Sequence, residues 1–180
     1  MSLQPYRATL PVLGDGCYVA GSAELIGDIV AAEDCSFWPQ VVVRADVNVI
    51  RIGARSNIQD GAVLHVTHDH QAQPGGHPLY LGGEVTIGHR AILHGCRIGN
   101  RCLIGMGAIV LDGAILEEGV LLGAGSLVPP NKRLQGGYLW MGQPARRVRA
   151  LTDQERDKLS YSAAHYVRLK DDYLPQKRGK

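Results

Sequence analysis

The sequence predicts an all-β fold, a parallel β-helix of hexapeptide repeats capped by one C-terminal α-helix. Three observations carry this expectation. An aliphatic residue recurs every six positions through most of the chain, glycine occurs 23 times against one phenylalanine, and the one amphipathic helical pattern falls at the C-terminal end.

The repeat is clearest from Ile98 in steps of six, through Ile104, Val110, Leu116, Leu122 and Val128. Four places further on stand Cys102, Ala108, Ala114, Val120 and Ser126, all small or branched. The same phase runs earlier through Val19, Leu25, Ala31, Phe37, Val43 and Val49, resets by three residues, and continues at Ile52, Ile58, Leu64, Ile87 and Leu93. Each six-residue unit makes one face of a triangular prism with its aliphatic side chain inside, and neighbouring coils stack at about 4.8 Å. Between Leu64 and Ile87 the period breaks in a His-, Gly- and Pro-rich stretch, an excursion assigned to 66–83. After Val128 the segment PPNKRLQGGYLWMGQPARRV reads as an extension that leaves the coil, because proline cannot supply a ladder N–H. Thr152 and Glu155 form a capping-box signature, and Leu159, Ala163, Tyr166, Leu169 and Tyr173 follow at helical spacing. The expected organisation is a β-helix domain over 1–150, including the excursion, and a helix over 151–180 packed on the prism.

Bulk properties narrow the partners. The formal net charge is +2, and basic residues crowd only at Arg146-Arg147-Val148-Arg149 and Lys177-Arg178, so no nucleic-acid footprint is expected. No run approaches the roughly 20 apolar residues of a membrane span, and the start lacks a secretory leader, so no membrane partner and a cytoplasmic location are expected. Cys17, Cys35, Cys96 and Cys102 lie in apolar repeat surroundings without a CxxC pair and read as reduced, buried, small hydrophobes.

Seven histidines are present, and only some share a repeat phase. His65 follows Leu64 and His94 follows Leu93, so both stand just after an inward residue, and adjacent coils would stack their imidazoles one strand spacing apart. That separation suits one divalent ion with each nitrogen at about 2.0–2.1 Å. His89 lies in the preceding hexad on another face, so a neighbouring subunit would have to supply it. A cyclic homotrimer does this at each of its equivalent interfaces. Three histidine ligands leave a coordination position open, as in catalytic zinc sites, while ordinary turn histidines are the alternative reading. His68 and His70, flanking Asp69, read as solvated loop residues, with proton shuttles or additional ligands as the alternatives; His77 and His165 carry no spacing argument.

The segments RADVNVIRIGARSNIQDGAVLH and IGHRAILHGCRIGNRCLIGMGAIVLDGA resemble the gamma-class carbonic anhydrase family, and the likeness extends into YLWMGQPARRVRALT. NIQDGAVLH and GHRAILHGC are far more specific than the hexapeptide pattern, which acyltransferases share. The resemblance implies left-handed coiling and His65, His89 and His94 as ligands of zinc, with iron or cobalt as alternatives. It implies that Gln59 hydrogen-bonds metal-bound water or bicarbonate, that Asn57 is a polar neighbour, and that Arg44, Asp46 and Asp60 form a charged network holding the trimer or touching bicarbonate. The implied activity is that of a lyase, the reversible hydration of carbon dioxide by metal-bound hydroxide. The chain departs from the fully active archetype at Val47, where that protein has a glutamate, and the excursion contains no glutamate, so the acidic proton relay is missing and weak hydration is expected. Tyr166 is a substitute hydroxyl or a packing residue.

Three other functions remain open at this level: acyl-CoA thioester hydrolysis by the same hydroxide, a scaffold trimer stapled by its metal, and acyl transfer, ranked last because it has no need of three ligand-spaced histidines.

Overall fold

The computed structural model describes residues 2–174; Lys177-Arg178 and the end of the expected 151–180 segment lie outside the described residues. Short parallel strands stack into a prism whose three inner ladders reproduce the six-residue period. One face stacks Leu25, Val43, Leu64, Leu93, Val110 and Val128. The second stacks Ala31, Ile52, Leu81, Ile98, Leu116 and Leu134. The third stacks Val19, Phe37, Ile58, Ile87, Ile104, Leu122 and Trp140. The first two faces belong to one 12-stranded sheet and the third to an 8-stranded sheet.

Every residue of these ladders is buried, and nearly all are aliphatic, so the core is a continuous apolar column rather than a set of separate clusters. Each fully buried large aliphatic contributes roughly 1.5–3 kcal/mol. Phe37, wholly buried, fills the column where its neighbours in the ladder are Val19 and Ile58. Phe37→Ala is expected to cost about 3–5 kcal/mol, read as a lowered midpoint in denaturant unfolding.

Three expectations are corrected. Val49 is only partly buried, and the inward residue is Ile50. The strand Val42–Ile52 carries a three-residue insertion: Gly27 pairs with Ala45 but Ile29 pairs with Ile50, so the chain bulges outward just before Val49. The excursion does not run to residue 83, because Leu79–Leu81 is a coil strand paired with Ile50–Ile52. The coil also continues past Val128. Leu134 and Trp140 are buried at the next two inward positions, and the prolines Pro129 and Pro130 sit at a corner, where no ladder N–H is required. Only after Gly142 does the chain reverse into an antiparallel strand, Ala145–Ala150.

Helix α1 spans Asp153–Tyr173, opened by the capping box of Thr152 and Glu155. Leu159 and Ala163 are buried against the third face, but Tyr173 is exposed at its edge while its ring still packs on Trp38 and Tyr18 at centroid distances of 5.2 and 5.4 Å. The buried residue that sequence reading missed is Lys170, whose ammonium lies 2.8 Å from Asp34 and 2.6 Å from Asp171. Burial works against its charge, but the hydrogen bonds it donates to Asp171 and Asp34 outweigh it and hold the pKa above the usual lysine value. Cys35, Cys96 and Cys102 are buried as expected, whereas Cys17 is half-exposed. Among the described residues no helix is long and apolar enough to cross a membrane.

Candidate metal centre

The strands Val63–His65 and Ile92–His94 are direct neighbours in register, with His65 opposite His94. Leu64 and Leu93 point inward, so alternation turns both imidazoles out of the prism on the same edge of the first face, their ring centroids 5.2 Å apart. His89 precedes this face, in the corner between Ile87 and Ala91, so it stands at the opposite edge of the face from His94. Among the described residues, no three His, Cys, Asp or Glu side chains of one chain converge to hold a metal ion.

What unites the three histidines is the partner of one ring nitrogen. His65 Nδ1 lies 2.7 Å from the Arg44 carbonyl, His94 Nδ1 2.6 Å from Asp112 Oδ1, and His89 Nδ1 2.9 Å from Asp60 Oδ2. Carbonyl and carboxylate oxygens only accept, so the hydrogen-bonded Nδ1 of His65 and of His94 carries the donated proton, which leaves Nε2 with its lone pair in the neutral ring. Histidines that ligate a metal usually donate their other ring N–H to a carboxylate or carbonyl in this way. Of the remaining four histidines, none has a ring-nitrogen hydrogen bond or ion pair among the described residues. Burial, outweighing the hydrogen bond to Arg44, pushes the His65 pKa down and favours the neutral form that a metal needs.

Asp112 is the residue that sequence reading missed. Its second oxygen accepts a 2.8 Å hydrogen bond from Thr67 Oγ1, so the carboxylate is clamped between the excursion and His94. A Cβ on Gly95 would collide with Asp112 Oδ1, and Gly95 takes a φ of 51°, so glycine is required there on two counts. The signal was available: Asp112 stands one coil, 18 residues, after His94.

The other expected site residues divide into two groups. Arg44 pairs with Asp46 at 2.6 Å; burial works to raise the Asp46 pKa, but the hydrogen bond and charge of Arg44 prevail and hold it below the usual carboxylate range. Asp46 Oδ1 is buried and has no hydrogen-bond partner. Asp60 does not join that pair, being engaged by His89. Asn57 and Gln59 are buried on the third face, Gln59 donating to Asn57 Oδ1 at 3.2 Å and Asn57 to Thr86 Oγ1 at 2.9 Å. Gln59, His89 and Tyr166 line one end of a trough of about 510 Å³ between helix α1 and the prism; Leu103, Met106 and Leu121 continue its wall. Burial and the Asp60 charge push the Tyr166 phenol above its ordinary pKa.

The outer surface beside the His65–His94 pair is apolar. Val42, Val63, Ile92, Ile109 and Leu127 stack in register along it, and Val63 and Ile92 are exposed.

Residues 95–130 match the bacterial transferase hexapeptide family (six repeats). The chain is 53% identical over 174 residues to protein YrdA of Escherichia coli, covering 97% of this chain and 95% of that protein. It is 42% identical over 159 residues to mitochondrial gamma carbonic anhydrase 1 of Arabidopsis thaliana, covering 88% of this chain and 58% of that longer protein. It is 39% identical to a Methanocaldococcus jannaschii protein named "Probable carbonic anhydrase", covering 85% of this chain and 92% of that one. Among solved structures, a hexapeptide transferase family protein from Anaplasma phagocytophilum superposes with a TM-score of 0.89 at 40% identity, covering 96% and 98% of the two chains.

Proposed function

Because the chain belongs to the gamma carbonic anhydrase-like family of hexapeptide-repeat proteins, we propose that it is a zinc-dependent homotrimer that hydrates carbon dioxide reversibly at the subunit interface. The observation that carries this reading is that His65 and His94 stand in register with each Nδ1 hydrogen-bonded to an acceptor, which leaves Nε2 of the neutral ring for an ion, while His89, beside Asp60, stands at the opposite edge of the same face. Those three nitrogens would hold the ion. A bound zinc ion supplies Lewis acidity that brings the pKa of water near 7, and so a nucleophile at neutral pH.

The chain's own residues do the rest. Asp112, Asp60 and the Arg44 carbonyl fix the imidazole rings before any ion arrives, which removes the cost of ordering them on binding. Gln59 presents an amide that can donate to a bicarbonate oxygen or accept from its hydroxyl, oriented through Asn57 and Thr86. Asp112→Ala removes the acceptor that fixes His94, and is expected to weaken zinc binding by about 10–100-fold in chelator competition while the fold persists.

The trimer is supported by the position of the three histidines on two edges of one face, since a cyclic arrangement would bring the His89 edge of each chain to the His65–His94 edge of the next. The exposed ladder of Val63 and Ile92 between those edges supplies apolar surface for the contact. Ile92→Arg is expected to give a monomer by analytical ultracentrifugation that also loses zinc. A trimer that keeps its metal would contradict the assignment of this face.

A second reading, hydrolysis of an acyl thioester at the same site, draws on the trough beside His89, which exceeds what carbon dioxide requires and is walled by Leu103, Met106 and Leu121. The deciding experiment is a stopped-flow assay of carbon dioxide hydration on protein of measured zinc content, run beside a thioesterase assay. Hydration with zinc bound supports the first reading; inactivity in every buffer, with metal and trimer intact, rejects it.

A further inference from the structure

A second cluster lies at the N-terminal end of the prism, away from the three histidines. Tyr18 and Val19 pair in register with Ser36 and Phe37, which sets Cys17 beside Cys35 in the next coil. Strand stacking of about 4.8 Å falls within the Cα separation of roughly 4.4–6.8 Å that a disulfide spans. Cys17 Sγ lies 3.1 Å from the Ala32 carbonyl and Cys35 Sγ 3.3 Å from that of Gly53. They differ in access, Cys17 being half-exposed and Cys35 fully buried. The Lys170 ammonium stands over this corner, close to Gly16. Cys96 and Cys102 are also buried, but neither has a cysteine neighbour of this kind.

We propose that Cys17 and Cys35 form an oxidisable pair in which Cys17 is the attacking thiol and Cys35 the resolving one. The co-reactant is a small-molecule disulfide such as glutathione disulfide. Cys17, as thiolate, attacks one of its sulfurs; the Cys17–sulfur bond forms, the original S–S bond breaks, and one glutathione thiolate leaves and takes up the proton Cys17 gave to water. Cys35 then loses its proton and attacks Cys17 Sγ, breaking the mixed disulfide and releasing the second glutathione. Two protein thiols are oxidised and one glutathione disulfide is reduced to two thiols. Access sets the order of attack, Cys17 being partly exposed and Cys35 buried, and the neighbouring Cys35, ahead of the opposing effect of burial and with help from the Lys170 charge, lowers the Cys17 pKa in the same direction.

The test incubates the full-length protein with glutathione disulfide, alkylates free thiols in denaturant and maps the products by mass spectrometry. Two of the four cysteines should become protected, joined as one Cys17–Cys35 cross-linked peptide and restored by reductant. Cys35→Ser should stop at a single glutathione adduct on Cys17, and Cys17→Ser should take up none. An adduct on Cys96 or Cys102, reaction of Cys17→Ser, or a wild type that halts at a stable mixed disulfide overturns the proposal. The wild-type map decides even if a serine variant fails to fold.

Discussion

His94→Ala is expected to strip the protein of zinc and reduce carbon dioxide hydration to background, while its β signal in circular dichroism stays that of the wild type. The argument separates the site from the core. The inward residues of that coil are Leu93 and Ile98, both buried, whereas His94 projects outward with about a third of its side chain exposed. Removing the imidazole deletes a hydrogen bond to Asp112, but that carboxylate is partly solvated and keeps its 2.8 Å contact with Thr67 Oγ1, so no buried charge is stranded. The stability cost should therefore stay near 1 kcal/mol, small beside the loss of a ligand from a three-ligand set. Zinc content by elemental analysis and a thermal melt on the same sample check both halves. Loss of β structure along with the metal would instead favour a metal that staples the assembly.

The prism was legible in the sequence because its core is one side chain deep and strictly periodic: Ile98 through Val128 are all inward, as the spacing requires. The reading failed where the chain kept the fold but broke the period. The outward bulge before Ile50 moved the inward position by one from Val49, and Pro129-Pro130 looked like a terminator only because the corner that tolerates them is a property of the coil, not of the dipeptide. The stacking of His65 on His94 was readable, since neighbours in phase become neighbours in space. Asp112 obeys the same rule one coil further on, but an aspartate on a coil corner carries no mark that sets it apart from a solvated turn residue. The Arg44 carbonyl that orients His65 could not have been read at all, because a backbone acceptor leaves no mark on residue identity. Lys170 was hidden for a different reason: a lysine on a helix reads as solvated, and only the fold reveals Asp34 waiting beside it.

Hydration should be limited by removal of the proton it releases, so turnover is expected to rise with the concentration of an imidazole-type buffer at fixed pH. A proton carrier works best when its pKa lies near the operating pH, and a well-placed one contributes on the order of 10²–10⁴-fold. The groups around the site are poorly matched to that task. Asp46 is held below the carboxylate range by Arg44 against the pull of burial, so it does not take up a proton at neutrality. Tyr166 is pushed up by burial and by the Asp60 charge, so its phenol does not give one up. Val47 offers no proton-carrying group, although its exposed position would have suited one. What remains inside the protein is the pair His68 and His70, exposed on the excursion with ring centroids 5.0 Å apart, and Thr67 ties the base of that excursion to Asp112 and thereby to His94. The buffer series distinguishes the two routes. Turnover that climbs with imidazole shows the proton leaving through solvent; high turnover that ignores buffer, and then becomes buffer-dependent in a His68→Ala, His70→Ala double variant, shows the excursion carrying it.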